Sequence, residues 1–300
     1  MVPSMPSTKT SMEVLLDDEL PESPQGRTIG EIIRDAKGWS DDQINVVLLH
    51  QQSSGLRFGE SAIALGLANP DEVMWALSQQ FSYSYEPAES ADVNGDLVLA
   101  SQPFGDQADA FREMRSELMM GMTTQAETRR ALAVVSPESG DGKSFIAANL
   151  AVAFSQLGER TVIVDANMRK PRQHEIFKQD LQPGLSQVLA GRLPVDSVLR
   201  MMEPNLYVMP AGTVPPNPLE LIQRPVFGLL VCQLLGKFRY VIVDTPAVER
   251  GADARALAMH CGMALVVSRR DKTSMKSMKK LSEGFAKAKV RVAGAVLNDR

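Results

Sequence analysis

The residues best suited to chemistry lie in Pro137-Glu138-Ser139-Gly140-Asp141-Gly142-Lys143-Ser144, which follows the apolar run Ala131–Ser136. A strand that runs into a glycine-containing turn and then into a helix suits a nucleoside triphosphate. Gly140 and Gly142 let backbone N–H groups approach phosphate oxygens, and the helix beginning there turns its positive dipole end toward the anion. Lys143 is placed to bridge the β- and γ-phosphates as a point charge, and Ser144 to offer its hydroxyl to Mg²⁺. One position departs from the usual loop: the glycine normally found five residues before Gly142 is Pro137 here. Ser139, Gly140, Asp141, Gly142, Lys143, Ser144 and Phe145 form the expected nucleotide-contacting set.

Two more acidic positions complete the pattern. Val162-Ile-Val-Asp165 and Tyr240-Val-Ile-Val-Asp244 are each an apolar run ending in aspartate. If both are strands of one sheet, their ends fall on the same edge as the loop, where carboxylates hold Mg²⁺ waters and position a nucleophile. An aspartate at a strand end also serves as a turn or helix cap, so both readings stand at this stage. Lys143, Asp165 and Asp244 are the expected catalytic residues, and Ser144, Asp165 and Asp244 the expected Mg²⁺ ligands.

The elements that must position these groups are legible from periodicity. Short, nearly continuous apolar runs predict strands at Ala131–Ser136, Thr161–Asp165, Leu206–Pro210, Tyr240–Asp244, Ala264–Val267 and Val290–Leu297. Helical patterns fill Lys143–Leu157, Pro225–Gly236, Asp253–His260 and Thr273–Lys289. Such alternation predicts an α/β fold: a doubly wound, mostly parallel sheet with its ligand at the carboxyl ends of the strands.

The 300 residues suggest two domains. Residues 1–26 are rich in Pro, Ser and Thr and read as a disordered leader. Residues 27–85 read as a small helical domain, 86–107 as a linker, and 108–300 as the phosphate-loop domain. Within 27–85 an offset of 29 aligns Gly30-Glu31 with Gly59-Glu60, Asp42 with Asp71, Leu48 with Leu77 and Gln51 with Gln80, which predicts two similar helical hairpins.

Composition excludes several classes. A formal net charge of −4 argues against a nucleic-acid binder with a broad basic face. Cys232 and Cys261 build no disulfide framework and read as small hydrophobes in a reducing compartment. His50, His174 and His260 lack metal-ligand spacing. No signal peptide is evident, and Pro225–Leu235 is too short to span a bilayer, so the chain is expected to be cytoplasmic, reaching the inner membrane only through a partner. The basic run Arg269-Arg270, Lys272, Lys276 and Lys279-Lys280 reads as a solvated helix face or a contact for anionic lipid or an acidic peptide.

Taken together, Ser136–Ser144, Val162-Ile-Val-Asp-Ala-Asn-Met-Arg169-Lys-Pro171 and Val241-Ile-Val-Asp-Thr-Pro246 resemble the three nucleotide motifs of the bacterial tyrosine kinases, relatives of the Min-type and partition ATPases. Gly184-Leu-Ser, Pro210-Ala-Gly212, Pro215-Pro-Asn-Pro-Leu-Glu-Leu221 and Gly294-Ala-Val-Leu-Asn298 extend the resemblance over about Asp109 to Arg300. Glu138 stands where Min-type relatives carry an early loop lysine, which favours the kinase branch. The chain looks most like the exopolysaccharide kinases associated with a chain-length determinant. The resemblance implies ATP and Mg²⁺ as cofactors, Arg169 as a further nucleotide-binding residue serving charge stabilisation or activator contact, and a separate membrane chain-length regulator, or co-polymerase, whose cytoplasmic segment acts as activator. It also implies a homo-oligomer built through Asp109-x-x-Arg112-x-x-Arg115, where the family has Glu first; a solvated charged face is the competing reading.

Two departures bear on activity. Asp165-Ala-Asn167 replaces the family's usual Asp-x-Asp, so either Asp165 takes the second carboxylate's role or transfer is slow. The family's terminal tyrosine cluster is missing, leaving Tyr83, Tyr85, Tyr207 and Tyr240, of which the first two are the more exposed candidates. The front domain resembles the N-terminal domain of type II secretion ATPases in Arg57-Phe-Gly59-Glu60, Leu65-Gly66 and Leu77-Ser-Gln-Gln80. Some relatives of that domain bind cyclic di-GMP; the first copy lacks the matching arginine, having Thr28, so a protein-docking module is the other reading. The expected function is an ATP-dependent protein-tyrosine (auto)kinase acting in exopolysaccharide polymerisation and export. The alternative is an ATP-binding switch with little tyrosine transfer, in one form responsive to cyclic di-GMP.

Overall fold

The computed structural model describes residues 27–80, 94–103, 105–123 and 129–299. The expected leader at 1–26, together with Tyr83 and Tyr85, lies outside the described residues. The chain forms two compact units, residues 1–84 and 85–300.

The first unit contains α1 (Ile29–Lys37), α2 (Asp41–Ser54), α3 (Phe58–Ala64) and α4 (Pro70–Gln80). The 29-residue offset survives in the packing. Ile32, Ile33, Trp39 and Val47 are buried, and their counterparts Ser61, Ala62, Ala68 and Ala76 are buried too. Large side chains of the first copy are thus matched by small ones of the second at equivalent buried positions. The paired glycines admit close neighbours: a Cβ on Gly30 would lie 3.1 Å from the Phe58 ring, and one on Gly59 2.4 Å from Val73 Cγ1.

The second unit begins with α5 (Val98–Ser101) and α6 (Asp106–Thr123), followed by β1 (Ala131–Val135), α7 (Lys143–Ser155) and β2 (Thr161–Asp165). The short helices α8 (Gln173–Ile176) and α9 (Leu185–Leu189) lead to β3 (Arg200–Glu203) and β4 (Leu206–Met209). Next come α10 (Pro218–Gln223), α11 (Pro225–Lys237), β5 (Tyr240–Asp244), α12 (Asp253–Cys261), β6 (Gly262–Arg269), α13 (Met275–Lys287) and β7 (Arg291–Asn298). The seven-stranded sheet has the order β3-β4-β2-β5-β1-β6-β7. β3 pairs antiparallel with β4, and the other pairs are parallel.

Alternation along the strands divides the core. In β1, Ala131, Ala133 and Val135 face the layer holding Phe227, Leu230, Leu257 and Phe285, from α11, α12 and α13. Leu132 and Val134 face the layer of Phe111, Leu150 and Phe154, from α6 and α7. α7 is enclosed almost all round, from Ile146 to Ser155, as expected of a helix apolar on every side.

β3 is an addition to the expected strands; its four residues, Arg200–Glu203, are too few and too mixed to give an apolar run. Within the stretch expected as a linker, residues 94–103 and 105–107 are built into this unit, since Leu97, Val98 and Leu99 bury against the α6–α7 layer. For the site, the decisive feature is register. Asp165 on β2 and Asp244 on β5 are directly paired on adjacent parallel strands, and β1 feeds the loop from the other side of β5.

Candidate nucleotide and metal site

The loop between β1 and α7 adopts the conformation its glycines permit. Gly140 and Gly142 have φ of +84° and +98°, in the region that side chains with Cβ avoid. Three consecutive carbonyls are engaged by side chains: Ser139 O accepts from Lys272 Nζ at 2.7 Å, Gly140 O from Arg269 Nη1 at 3.4 Å, and Asp141 O from Asn298 Nδ2 at 3.1 Å. In a planar trans peptide the following N–H points the opposite way, so the N–H groups of Gly140, Asp141 and Gly142 are turned from those donors. α7 starts at Gly142 with no side-chain cap, leaving its N-terminal donors and dipole for an anion. Lys143 Nζ donates to Ser136 Oγ at 2.9 Å, and Ser139 N donates to Glu249 Oε1 at 2.8 Å.

Asp165 and Asp244 are both fully buried. Asp165 accepts from the backbone N–H groups of Asn167 (3.1 Å), Arg172 (2.8 Å) and Gln173 (2.9 Å). Gln173, also fully buried, donates from Nε2 to Asp244 Oδ2 at 2.8 Å and to Ser144 O at 3.1 Å, tying β5 to the phosphate loop. Burial and the Asp244 charge push Asp165 up to about 8. Burial also raises Asp244, against the pull of Ser144, Gln173 and Lys143. Desolvation lowers Lys143, opposed by Asp244 and Asp141.

This arrangement fits Mg²⁺. Two buried carboxylates lie side by side at paired positions of adjacent strands, Asp244 Oδ1 has no hydrogen-bond partner among the described residues, and the Ser144 hydroxyl interacts with Asp244. A hard cation that takes oxygen ligands relieves that repulsion, with substrate phosphates and water completing its shell. No cluster of three or more metal-binding side chains occurs among the described residues.

Beside the loop lies a cleft of about 390 Å³, within the range of small-ligand sites. It brings together Ser139, Gly140, Gly142, Lys143, Ser144 and Phe145 of the expected set, and adds Asp96, Asn167, Lys170, Arg172, Arg269 and Asn298. Asp141 is buried beneath the loop, its Oδ2 accepting from Glu138 N at 3.0 Å. Arg169 is not among the residues lining the cleft. It forms a two-pronged pair with the buried Asp253, at 2.6 and 3.2 Å, and Arg172 stands at the cleft instead. Arg269 and Lys272 belong to the loop's support rather than to a solvated helix face alone. Asn167 spends its amide on the backbone of Lys170.

Residues 132–299 match the CobQ/CobB/MinD/ParA nucleotide-binding domain family. The chain is 34% identical over 204 residues to the putative tyrosine-protein kinase CapB of Staphylococcus aureus, covering 67% of this chain and 88% of that protein. The chain belongs to the bacterial tyrosine kinase family. Its likeness to the tyrosine-protein kinase wzc of Salmonella typhimurium is 32% over 203 residues, 67% of this chain but 28% of the relative, so it spans less than a third of that longer protein. Among solved structures, the chimerical protein CapA2B2 superposes with a TM-score of 0.64 at 32% identity, over 74% of this chain and 96% of the other. For this kinase-family chain, the α6 residues are engaged within the unit. Arg112 pairs with Asp109 at 2.7 Å, and Arg115 Nη1 donates to Ala153 O at 2.7 Å.

Proposed function

We propose that this chain is an ATP-dependent protein-tyrosine kinase of exopolysaccharide assembly. The observation that supports it most is the uncapped N-terminus of α7 with Lys143 and the paired Asp165 and Asp244 beside it. In this reading the loop N–H groups and Lys143 hold the phosphates of ATP, and Ser144, Asp165 and Asp244 hold Mg²⁺. The ion neutralises charge on the phosphates. Gln173 fixes Asp244 against the loop, and Asp165 orders the turn that carries Arg172 to the cleft.

A membrane co-polymerase with a cytoplasmic segment is the proposed partner, and peripheral recruitment through it the proposed location. Among the described residues, no helix is long and apolar enough to cross a membrane. Self-assembly through Asp109, Arg112 and Arg115 is the proposed oligomer contact; alanine at all three should lower the sedimentation coefficient if they bridge copies. For the first unit we favour docking over cyclic di-GMP binding, because the first copy has Thr28 where the second has Arg57, and Thr28 already accepts from the N-terminal donor of its own helix. Titration of the full chain with cyclic di-GMP should then give no heat.

A second reading, an ATP-binding switch with little transfer, is favoured by the tyrosines: Tyr240 is buried against Phe154, and Tyr207 packs on Phe238. Transfer from γ-labelled ATP, with and without a co-polymerase cytoplasmic segment, decides between them. Label on tyrosine supports the kinase; hydrolysis without labelled tyrosine under both conditions supports the switch.

A further inference from the structure

The site described so far holds phosphates and a cation, but it leaves open which group takes the proton from a hydroxyl that attacks the γ-phosphorus. Asp165 is committed to three backbone N–H groups, and Asp244 accepts from Gln173 at Oδ2 while its other oxygen is, in the reading above, given to the cation. Asn167, on the cleft wall, is a neutral amide and accepts no proton. Among the residues that line the cleft, one is a carboxylate: Asp96.

Asp96 comes from a segment that precedes the residues shared with the nucleotide-binding family, 132–299. It is held firmly. Leu97, Val98 and Leu99 are buried directly after it. Asp96 O accepts from Asn149 Nδ2 at 2.7 Å, so the segment is tied to α7 itself. Asn94 Oδ1 accepts from Asp96 N at 3.0 Å, and Asn94 Nδ2 donates to Glu175 O at 3.2 Å. The carboxylate reaches the cleft, where Arg172 Nη2 donates to its Oδ2 at 3.3 Å. Its side chain is 32% exposed, open to an incoming substrate.

We infer that Asp96 is the proton acceptor of the transfer reaction, taking the role that a carboxylate at 167 would have. The inference rests on the kinase reading above. In the step, the tyrosine O–H proton passes to the Asp96 carboxylate and the phenolic oxygen bonds to the γ-phosphorus. The bond from that phosphorus to the β–γ bridging oxygen breaks, ADP leaves with the electron pair, and Asp96 later releases its proton to water. Arg172 keeps the carboxylate in place.

The test uses the full chain with γ-labelled ATP and Mg²⁺, reading phosphotyrosine and, separately, ATP affinity by titration. Asp96→Asn is expected to lower transfer by roughly 10²–10⁴-fold, with ATP affinity within about threefold of the parent. Asn167→Asp added to Asp96→Asn is expected to restore at least about tenfold, since it returns a carboxylate to the same cleft. Transfer within about threefold of the parent in Asp96→Asn overturns the inference. So does a loss that Arg172→Met reproduces and Asn167→Asp does not repair, which would make Asp96 a positioning residue for Arg172. Absence of tyrosine transfer in the parent chain, with ATP binding intact, contradicts instead the kinase reading on which the inference rests.

Discussion

In the first unit, α1, α2 and α4 begin with side chains that close their own ends. Thr28 with Glu31, Ser40 with Gln43, and Asn69 with Glu72 exchange hydrogen bonds across the first turn. α3 of the first unit and α7 of the second have no side-chain cap, but at α7 the N-cap is Gly142, in a positive-φ loop with Lys143 next to it. Glycine is used differently too. Gly30 and Gly59 let neighbouring side chains approach, whereas Gly140 and Gly142 take positive φ to shape a loop. A helix end filled by its own chain contributes stability, typically about 1 kcal/mol; one left open beside a positive-φ glycine loop and a lysine, as at α7, suits an anion. The difference lies in the loop and not in the open end alone: glycine serves packing in the first unit and backbone shape in the second.

The largest expected effect lies in the binding unit's core. Phe154 is fully buried at the end of α7 against Tyr240, so Phe154→Ala should cost about 3–5 kcal/mol in denaturant unfolding. It should also take nucleotide binding with it, because α7 carries the loop.

Next comes pH. Asp165 is pushed up to about 8 from an ordinary 3.8. The folded metal-free chain therefore holds a proton that the unfolded chain has lost, and stability falls as pH rises from about 4 to about 8, by at most about 1.4 kcal/mol per unit. On the proposed reading, in which Asp165 helps to hold Mg²⁺, binding of Mg²⁺ with ATP would displace that proton, so its gain in thermal midpoint should be greater at pH 8 than at pH 6. Asp165→Asn should flatten the dependence; an unchanged slope would remove Asp165 as its origin.

The packing unit should respond to bulk. A Cβ on Gly59 meets Val73 at 2.4 Å, so Gly59→Ala should destabilise by about 1–3 kcal/mol without touching ATP affinity. Smallest is the cap: Thr28→Ala should cost about 1 kcal/mol, whereas α7 has no capping side chain to lose. A nucleotide effect from either first-unit change would blur the contrast.

Much of the binding unit was legible because its signals are local. Gly140-Asp141-Gly142-Lys143-Ser144 sits within one turn, and Thr161–Asp165 and Tyr240–Asp244 are continuous apolar strands whose bounds the structure reproduces. The residues that escaped notice act across distance. Gln173 reaches Asp244, 71 positions away, and Lys272 reaches Ser139, 133 positions away; no motif flags a lone glutamine or a lysine in a basic run. Arg169 resembled a nucleotide residue by its place in a motif, but the buried Asp253 gives it a charged partner elsewhere. Asp96 was hidden in a stretch rich in turn-forming residues; the burial of Leu97–Leu99 and the hydrogen bonds to Asn149 and Glu175 show that the stretch is anchored.

The most direct test of the central claim, that the open end of α7 is the nucleotide site, is calorimetric titration of Mg²⁺ with ATP into the full chain and into Lys143→Met. The account predicts one site per chain, with affinity lost in the variant while its unfolding midpoint stays close to the parent's. Equal affinity in parent and variant would contradict it.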